Sequence, residues 1–374
     1  MPTLREITDL VHSWYPPGTA EPWDAVGLVS GDPADPVAKV MLAVDPVRPV
    51  AEEAVAWGAD LLIVHHPLFL RGVHGFAATT PKGRTLTTLT RAGCALLTAH
   101  TNADQAVDGV SQAMADAFGL TDQRPLVPAD PDALDKLTTY VPTACAEAVR
   151  QALAAAGAGR IGDYDQASFS TPGEGRFRPL PGASPAIGQI GTPEVVDEVR
   201  VEVVLRRGLR GTVVGALLDA HPYEEPAYDV VELAASTPAA TGHGRIGRVA
   251  PTTLAGFAAS VAAALPQTAA GVRVAGDPDR EVRTVALCGG AGDAFLDAVA
   301  GTDADVYVTS DLRHHVASEF LERHGTALID VAHWAAEWTW LPVLARKLGE
   351  ALPRATRVET RVSAIVTDPW TLRI

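Results

Sequence analysis

The most constraining stretch of the chain is Ala59-Asp60-Leu61-Leu62-Ile63-Val64-His65-His66-Pro67, where four consecutive aliphatic residues run straight into two histidines. Such a run reads as a strand buried on both faces. In an α/β sheet a strand of this kind delivers the residues after it to the carboxyl edge, where ligands bind. Neutral imidazole is a ligand for first-row metals, and adjacent residues point in different directions, so His65 and His66 suit two ions better than one. A polar turn after a strand explains an isolated His-His pair equally well, and the choice rests on the rest of the chain.

The surrounding pattern is β-α-β. Residues 4–14 read as a short amphipathic helix, 40–45 as a buried strand, 51–58 as a helix closed by its glycine, and 61–64 as the strand above. In the loop Glu21-Pro22-Trp23-Asp24, Asp24 either orients a site residue or forms a turn. Residues 85–91 read as a helix and 95–99 as a further buried strand, which ends in His100-Thr101-Asn102-Ala103-Asp104. With a helix from about residue 102 to 118, Asp104 falls in its first turn, as a metal ligand or as an N-terminal helix charge.

The texture changes between about residues 125 and 235. Strands at 136–141, 166–170, 199–205 and 228–233, with helices at 144–156 and 211–220, give the order βα-β-βα-β of a ferredoxin-like module, with a Gly/Pro-rich loop over 171–185. The expected organisation is therefore an N-terminal lobe (1–128), an inserted α+β domain (129–237) and a C-terminal lobe (238–374). Within the insertion, His221-Pro222-Tyr223-Glu224-Glu225-Pro226 reads as a capped helix end with a rigid turn, or as an effector or metal site.

Beyond residue 242 the chain repeats its beginning. Val282-Arg283-Thr284-Val285-Ala286-Leu287-Cys288 answers residues 38–44; Ala304-Asp305-Val306-Tyr307-Val308-Thr309-Ser310-Asp311, followed by His314 and His315, answers 59–66; and residues 325–333 answer 93–100. Each half then places a carboxylate four residues after its last histidine, Asp104 after His100 and Glu337 after His333. At that spacing His333 and Glu337 share a helix face. Two lobes related by a pseudo-two-fold would bring their carboxyl-end loops together. His65, His66, Asp104, His333 and Glu337 then make a set of N and O donors suited to two divalent ions, with Zn, Fe, Mn, Ni and Co all acceptable.

His65-His66-Pro67, His100-Thr101-Asn102-Ala103-Asp104, Thr309-Ser310-Asp311-Leu312-Arg313-His314-His315 and Asp330-Val331-Ala332-His333-Trp334-Ala335-Ala336-Glu337 resemble the motifs of the NIF3-like proteins, often labelled GTP cyclohydrolase 1 type 2 homologs. The insertion resembles the PII/CutA-like domain of the longer members. Ala25, where Asn is usual after Trp-Asp, and Ala103, where Leu is common, are the departures. The resemblance implies an α/β fold of two pseudo-symmetric lobes with the inserted domain, two divalent metals on His65, His66, Asp104, His333 and Glu337, and a toroidal homohexamer built from trimers or dimers with the inserted domains near its openings. Asp311, His100 and His314 are left as supporting or proton-transfer candidates, with Asp330 placed to orient a ligating histidine.

Composition excludes several alternatives. Three cysteines without a CxxC support neither a disulfide framework nor a thiolate zinc site, and fit a reducing, cytoplasmic setting. The N-terminus has no apolar signal region and no apolar run reaches membrane-span length. A net charge of −15 disfavours nucleic acid as a partner, and Arg206, Arg207 and Arg210, the densest basic cluster, read as a solvated rim. Two functions fit: a metal-dependent hydrolase acting on a small molecule or nucleotide, with Arg71, Arg313 or Arg245 meeting any phosphates, or a metal-binding hexameric regulatory scaffold without turnover, its inserted domain sensing a ligand.

Overall fold

The computed structural model describes residues 1–129, 133–234, 239–352 and 358–374. It comprises two compact units, Met1–Ala129 together with Ala239–Ile374, and Asp130–Pro238. The expected junction at 237/238 lies outside the described residues.

In the first unit, helix α1 (Leu4–Trp14) starts at a reciprocal cap between Thr3 and Glu6. Strands β1 (Gly27–Ser30), β2 (Lys39–Ala43), β3 (Leu61–Val64) and β4 (Ala95–Thr98) follow, with α2 (Arg48–Trp57) and α3 (Pro81–Arg91) as the crossovers after β2 and β3. Helix α3 begins before the expected residue 85. Thr80 caps it, and Pro81 takes the first position, where no N–H is needed. The single helix expected after residue 102 is instead α4 (Thr101–Gln105) and α5 (Val110–Ala117). Asp108, at φ +54°, turns the chain between them, and a Cβ on Gly109 would lie 1.9 Å from the Ala103 carbonyl oxygen. Strands β5 (Thr121–Arg124) and β6 (Val127–Pro128) end this half.

The second unit is β7 (Leu134–Pro142), α6 (Ala146–Ala155), β8 (Ser168–Phe177), β9 (Glu194–Arg206), α7 (Arg210–Ala220) and β10 (Tyr228–Glu232). Its sheet is antiparallel in the order β10-β7-β9-β8, the ferredoxin-like arrangement, and both helices pack on one face through Val149, Leu153, Val213 and Leu217. Residues 171–177, expected in a loop, continue β8 to Phe177. Pro172 is tolerated because β8 is an edge strand and needs no second ladder bond there. Arg207 and Arg210 are not a free basic rim, for both reach the Asp135 carboxylate.

The first unit resumes with β11 (Gly242–His243), β12 (Arg245–Thr253), α8 (Leu254–Ala264), β13 (Val272–Ala275), β14 (Glu281–Ala291), α9 (Leu296–Ala300), β15 (Val306–Ser310), α10 (His314–Arg323), β16 (Ala327–Val331), α11 (His333–Trp338), α12 (Trp340–Ala351) and β17 (Glu359–Val362). One sheet has the order β1-β4-β3-β2-β17, the other β13-β16-β15-β14-β12-β5. Their central strands are parallel: β2, β3 and β4 in one, β14, β15 and β16 in the other. Each half lends the other a strand, β5 to the C-terminal sheet and β17 to the N-terminal one.

Although β3 reads as continuously apolar, its alternate residues have different duties. Leu61 and Ile63 join Val306, Val308 and Ile329 in a core shared by both sheets, whereas Leu62 and Val64 pack under α2 and α3. The internal repeat obeys this parity with a correction of one residue in its first strand. Asp60 accepts from the Ala38 and Lys39 amides, and Asp305 accepts from those of Arg283 and Thr284, so Ala38 corresponds to Arg283 rather than to Val282. Val40 and Val285 are then equivalent and both face the shared core. A slip of one residue would have turned the strand inside out.

Candidate metal centre

The strands β3 and β4 of one lobe and β16 of the other end at the same place. His65 and His66 leave the end of β3, His100 caps α4 after β4, and His333 and Glu337 lie on α11 after β16. His65 is fully buried, and its Nε2 lies 3.6 Å from Asp104 Oδ1 and 3.5 Å from Glu337 Oε1. His66 Nε2 is 3.1 Å from Glu337 Oε2 and 3.3 Å from His333 Nε2, and His333 Nε2 is 2.8 Å from Glu337 Oε1. The ligand atoms of His65, His66 and His100 all lie within 4.8 Å of one another, as do those of His66, His333 and Glu337. Glu337 therefore touches three imidazoles from both lobes.

The opposite nitrogen of each imidazole is already engaged. Nδ1 of His65 meets the Ala99 carbonyl oxygen at 2.9 Å, that of His66 meets Asp45 at 2.7 Å, that of His100 meets Asp24 at 2.8 Å, and that of His333 meets Asp311 at 2.7 Å. With Nδ1 donating to these oxygens, each Nε2 presents a lone pair once its imidazole is neutral, as in sites where a carboxylate or carbonyl orients a metal-ligating histidine. Three buried atoms of the cluster, His65 Nε2, Asp104 Oδ1 and Glu337 Oε2, have no hydrogen-bond partner among the protein groups. Burying such atoms unpaired is costly, and a divalent cation would satisfy them together. The residues fit a metal.

The electrostatics of the metal-free cluster are those of a carboxylate held among imidazoles. Burial alone would raise Glu337, but His66, His333 and His65 outweigh it and hold its carboxyl well below the usual range. Burial would lower His66 and His333; the Glu337 charge and the Asp45 and Asp311 hydrogen bonds win instead, pushing His66 up to about 11 and His333 up to about 10. Burial raises Asp104, with His65 and His100 acting against it. Asp24 is depressed despite burial, by hydrogen bonds from His100 and Thr101.

Several sequence expectations meet corrections. His314 is exposed at the start of α10, its ring 5.1 Å from that of His315, and is not part of the cluster. Asp330 orients no histidine, since it accepts from the Leu312 amide and pairs with Arg273. Asp311 reaches His333 from a left-handed backbone conformation at φ +59°. His100 and His333 are not equivalent positions in the repeat. Ala95 and Ala327 pair with Leu61 and Val306, and one more residue separates Ala327 from His333 than Ala95 from His100, so His100 is a helix cap while His333 is the first residue of its helix. Arg245 is buried against the carbonyls of Gly242, Gly244 and Ala106, and exposed Arg313 pairs with half-buried Asp293. A cleft of about 570 Å³ opens beside the cluster, lined by Asp45, His66, Asp311 and His333, and its arginines are Arg273 and Arg373 rather than Arg71, Arg245 or Arg313.

Sequence reasoning passed over Asp45, although it follows β2 as His66 follows β3 and the same argument about strand ends finds it. It also passed over Gly290. At φ +68°, a Cβ there would come within 2.7 Å of Glu337 Oε1 and 3.4 Å of His333 Nε2. Gly290→Ala is expected to cost about 1 kcal/mol or more from backbone strain and to displace Glu337. Urea unfolding and a metal titration would show both losses, and unchanged metal affinity would contradict the tight fit.

Two parallel-sheet lobes sharing one core, with histidines and carboxylates gathered at their carboxyl ends, define an α/β protein whose His/Glu groups could hold a metal ion. The chain belongs to the Duf34/NIF3 (NGG1p interacting factor 3) family, whose sequence profile matches residues 2–369. It is 51% identical to a Mycobacterium tuberculosis protein named GTP cyclohydrolase 1 type 2 homolog, over 99% of this chain and 97% of that one. It is 37% identical to a Bacillus subtilis protein of the same name, over 98% of each. Among solved structures, a Bacillus cereus protein related to NIF3 matches with a TM-score of 0.68 and 35% identity, covering 100% of this chain and 99% of that one.

Proposed function

We propose that this protein binds two divalent first-row metal ions and acts as a metal-dependent hydrolase. The observation that carries the reading is the orientation of four imidazoles, each with Nδ1 engaged by an oxygen, around the Asp104 and Glu337 carboxylates, with the buried Asp104 Oδ1 left without a protein donor. His65 and Asp104 would serve one ion and His66 and His333 the other, with Glu337 common to both. His100, expected to support a ligand or to transfer protons, is close enough to His65 and His66 to be a ligand as well. Such a pair of ions lowers the pKa of a bound water toward neutrality and polarises a carbonyl, imine or phosphoryl group.

The chain's own part is to hold those donors rigid and dry on one side and open to the cleft on the other. Asp45 and Asp311 keep His66 and His333 in one tautomer, and Asp311, exposed at the rim, can take up a proton leaving the reaction. The name carried by the mycobacterial and Bacillus relatives makes GTP the first substrate to try. Protein of known metal content, assayed on GTP, other nucleotides, phosphoesters and amides, is expected to turn over at least one of them, to lose that activity on chelation, and to lose it in His66→Ala. Turnover that survives removal of all metal would sink the reading. Stoichiometric metal without turnover on any of these would favour the alternative, a metal-binding hexameric scaffold.

A further inference from the structure

The cleft beside the cluster has four aspartates in its wall among the described residues: Asp45, Asp311, Asp330 and Asp368. Three are committed to protein partners. Asp45 accepts at Oδ1 from His66 and at Oδ2 from the Thr367 hydroxyl; Asp311 holds His333; Asp330 accepts from the Leu312 amide and pairs with Arg273. Asp368 differs. It is 8% exposed, yet no protein group donates to its Oδ2.

The segment that carries Asp368 is anchored on both sides of it. The Ser363 amide donates to the Leu42 carbonyl, continuing the pairing of β17 with β2, and the Ser363 hydroxyl reaches Glu53. Thr367 is tied to the aspartate that orients His66, and the Trp370 amide donates to the Asp368 carboxylate. Asp368 is thus held in the wall of the cleft that His66, Asp311 and His333 also line, its unpaired oxygen shielded from bulk water. A buried carboxylate oxygen without a donor is destabilising unless something in the cleft supplies one.

We propose that Asp368 is a substrate-binding residue whose free oxygen accepts a hydrogen bond from an N–H or O–H group that the substrate presents beside its metal-bound atoms. The inference rests on the metal-site reading above. It selects substrates in which a donor adjoins the polarised group, such as primary or secondary amides, ureas and hydroxylated acyl or phosphoryl compounds, over analogues in which that donor is methylated.

The test needs no turnover. The full-length protein is loaded with cobalt(II) and titrated, through the cobalt visible absorption, with acetohydroxamic acid and with N-methylacetohydroxamic acid, which bind metal alike but differ in the N–H. The wild type should prefer the N–H compound by about tenfold, the size of one hydrogen bond to a charged acceptor. Asp368→Ala should take up cobalt fully and lose the preference; Asp368→Asn, which keeps an acceptor oxygen, should retain part of it. Full cobalt loading with no preference in the wild type, or an undiminished preference in Asp368→Ala, would overturn the proposal alone. A wild type that binds no cobalt would overturn the metal-site reading and this proposal with it.

Discussion

Glu337→Ala is expected to abolish tight metal binding at both positions of the cluster. Its two oxygens lie 2.8 Å from His333 Nε2, 3.5 Å from His65 Nε2 and 3.1 Å from His66 Nε2, so one truncation removes the contact common to both halves of the site. Loss of a partner that merely orients a ligand typically costs about 10–100-fold in affinity; loss of this shared carboxylate should exceed about 100-fold. Metal analysis after equilibrium dialysis gives the number. The fold should survive, because the imidazoles that lose their counter-charge can shed their protons. Deleting one partner of a buried ion pair costs about 3–5 kcal/mol when the other must stay charged, and these need not. Circular dichroism and urea unfolding of the metal-free variant separate the two effects. Glu337→Ala that still binds two ions would show that the carboxylate is a structural charge and not a ligand.

Metal binding should also be strongly pH-dependent, and its sign follows from the cluster. His66, pushed up to about 11, and His333, pushed up to about 10, both carry protons at neutral pH in the metal-free protein. Because these folded-state values lie above that of free histidine, the protonated pairs stabilise the metal-free fold most at low pH, and that contribution fades as pH rises through about 10 to 11. A metal needs the same nitrogens neutral, so it competes with the protons. Apparent affinity should therefore rise between about pH 6 and pH 9, by roughly one logarithmic unit per pH unit for each proton displaced. Loading in weak buffer should release protons that an indicator dye can count. Affinity that is flat across this range, with no proton release, would mean that the metal enters elsewhere.

Much of the site was legible because it is built from strand ends. A buried run that stops in His65-His66, and a second that stops in His100, declare the carboxyl edge of a parallel sheet without any knowledge of the other lobe. The repeat then supplied the partner segment and with it His333 and Glu337. What periodicity missed is what periodicity does not encode. The offset between His100 and His333 comes from one extra residue before α11, invisible when both segments are read simply as strand followed by histidine. The slip between Val282 and Ala38 arose because the apolar runs that dominate the comparison, Val40–Val44 and Val285–Cys288, have no alternation to register them; the bonds of Asp60 and Asp305 do. His314 follows the segment that answers residues 59–66, but the strand ends at Ser310, and Asp311, at the position of His66, is the residue that reaches the site.

The strand exchange was not legible at all. β5 and β17 are short and largely exposed, and each pairs with strands from the opposite half of the chain. The same holds for Thr367 and Asp368, which have no counterpart in the repeat and reach the site only because β17 brings the C-terminal segment alongside β2. Residues contributed by a long return of the chain are found by topology, and topology of that kind is settled by packing rather than by local pattern.

The proposed chemistry turns on whether both lobes jointly hold two divalent ions. Anomalous diffraction from crystals of the metal-loaded protein, collected at the absorption edge of the bound metal, addresses it directly. Two peaks within about 4 Å of each other, one beside His65 and Asp104 and the other beside His66 and His333 with Glu337 adjoining both, are the predicted result. A single peak, or peaks away from these side chains at full occupancy, would contradict it.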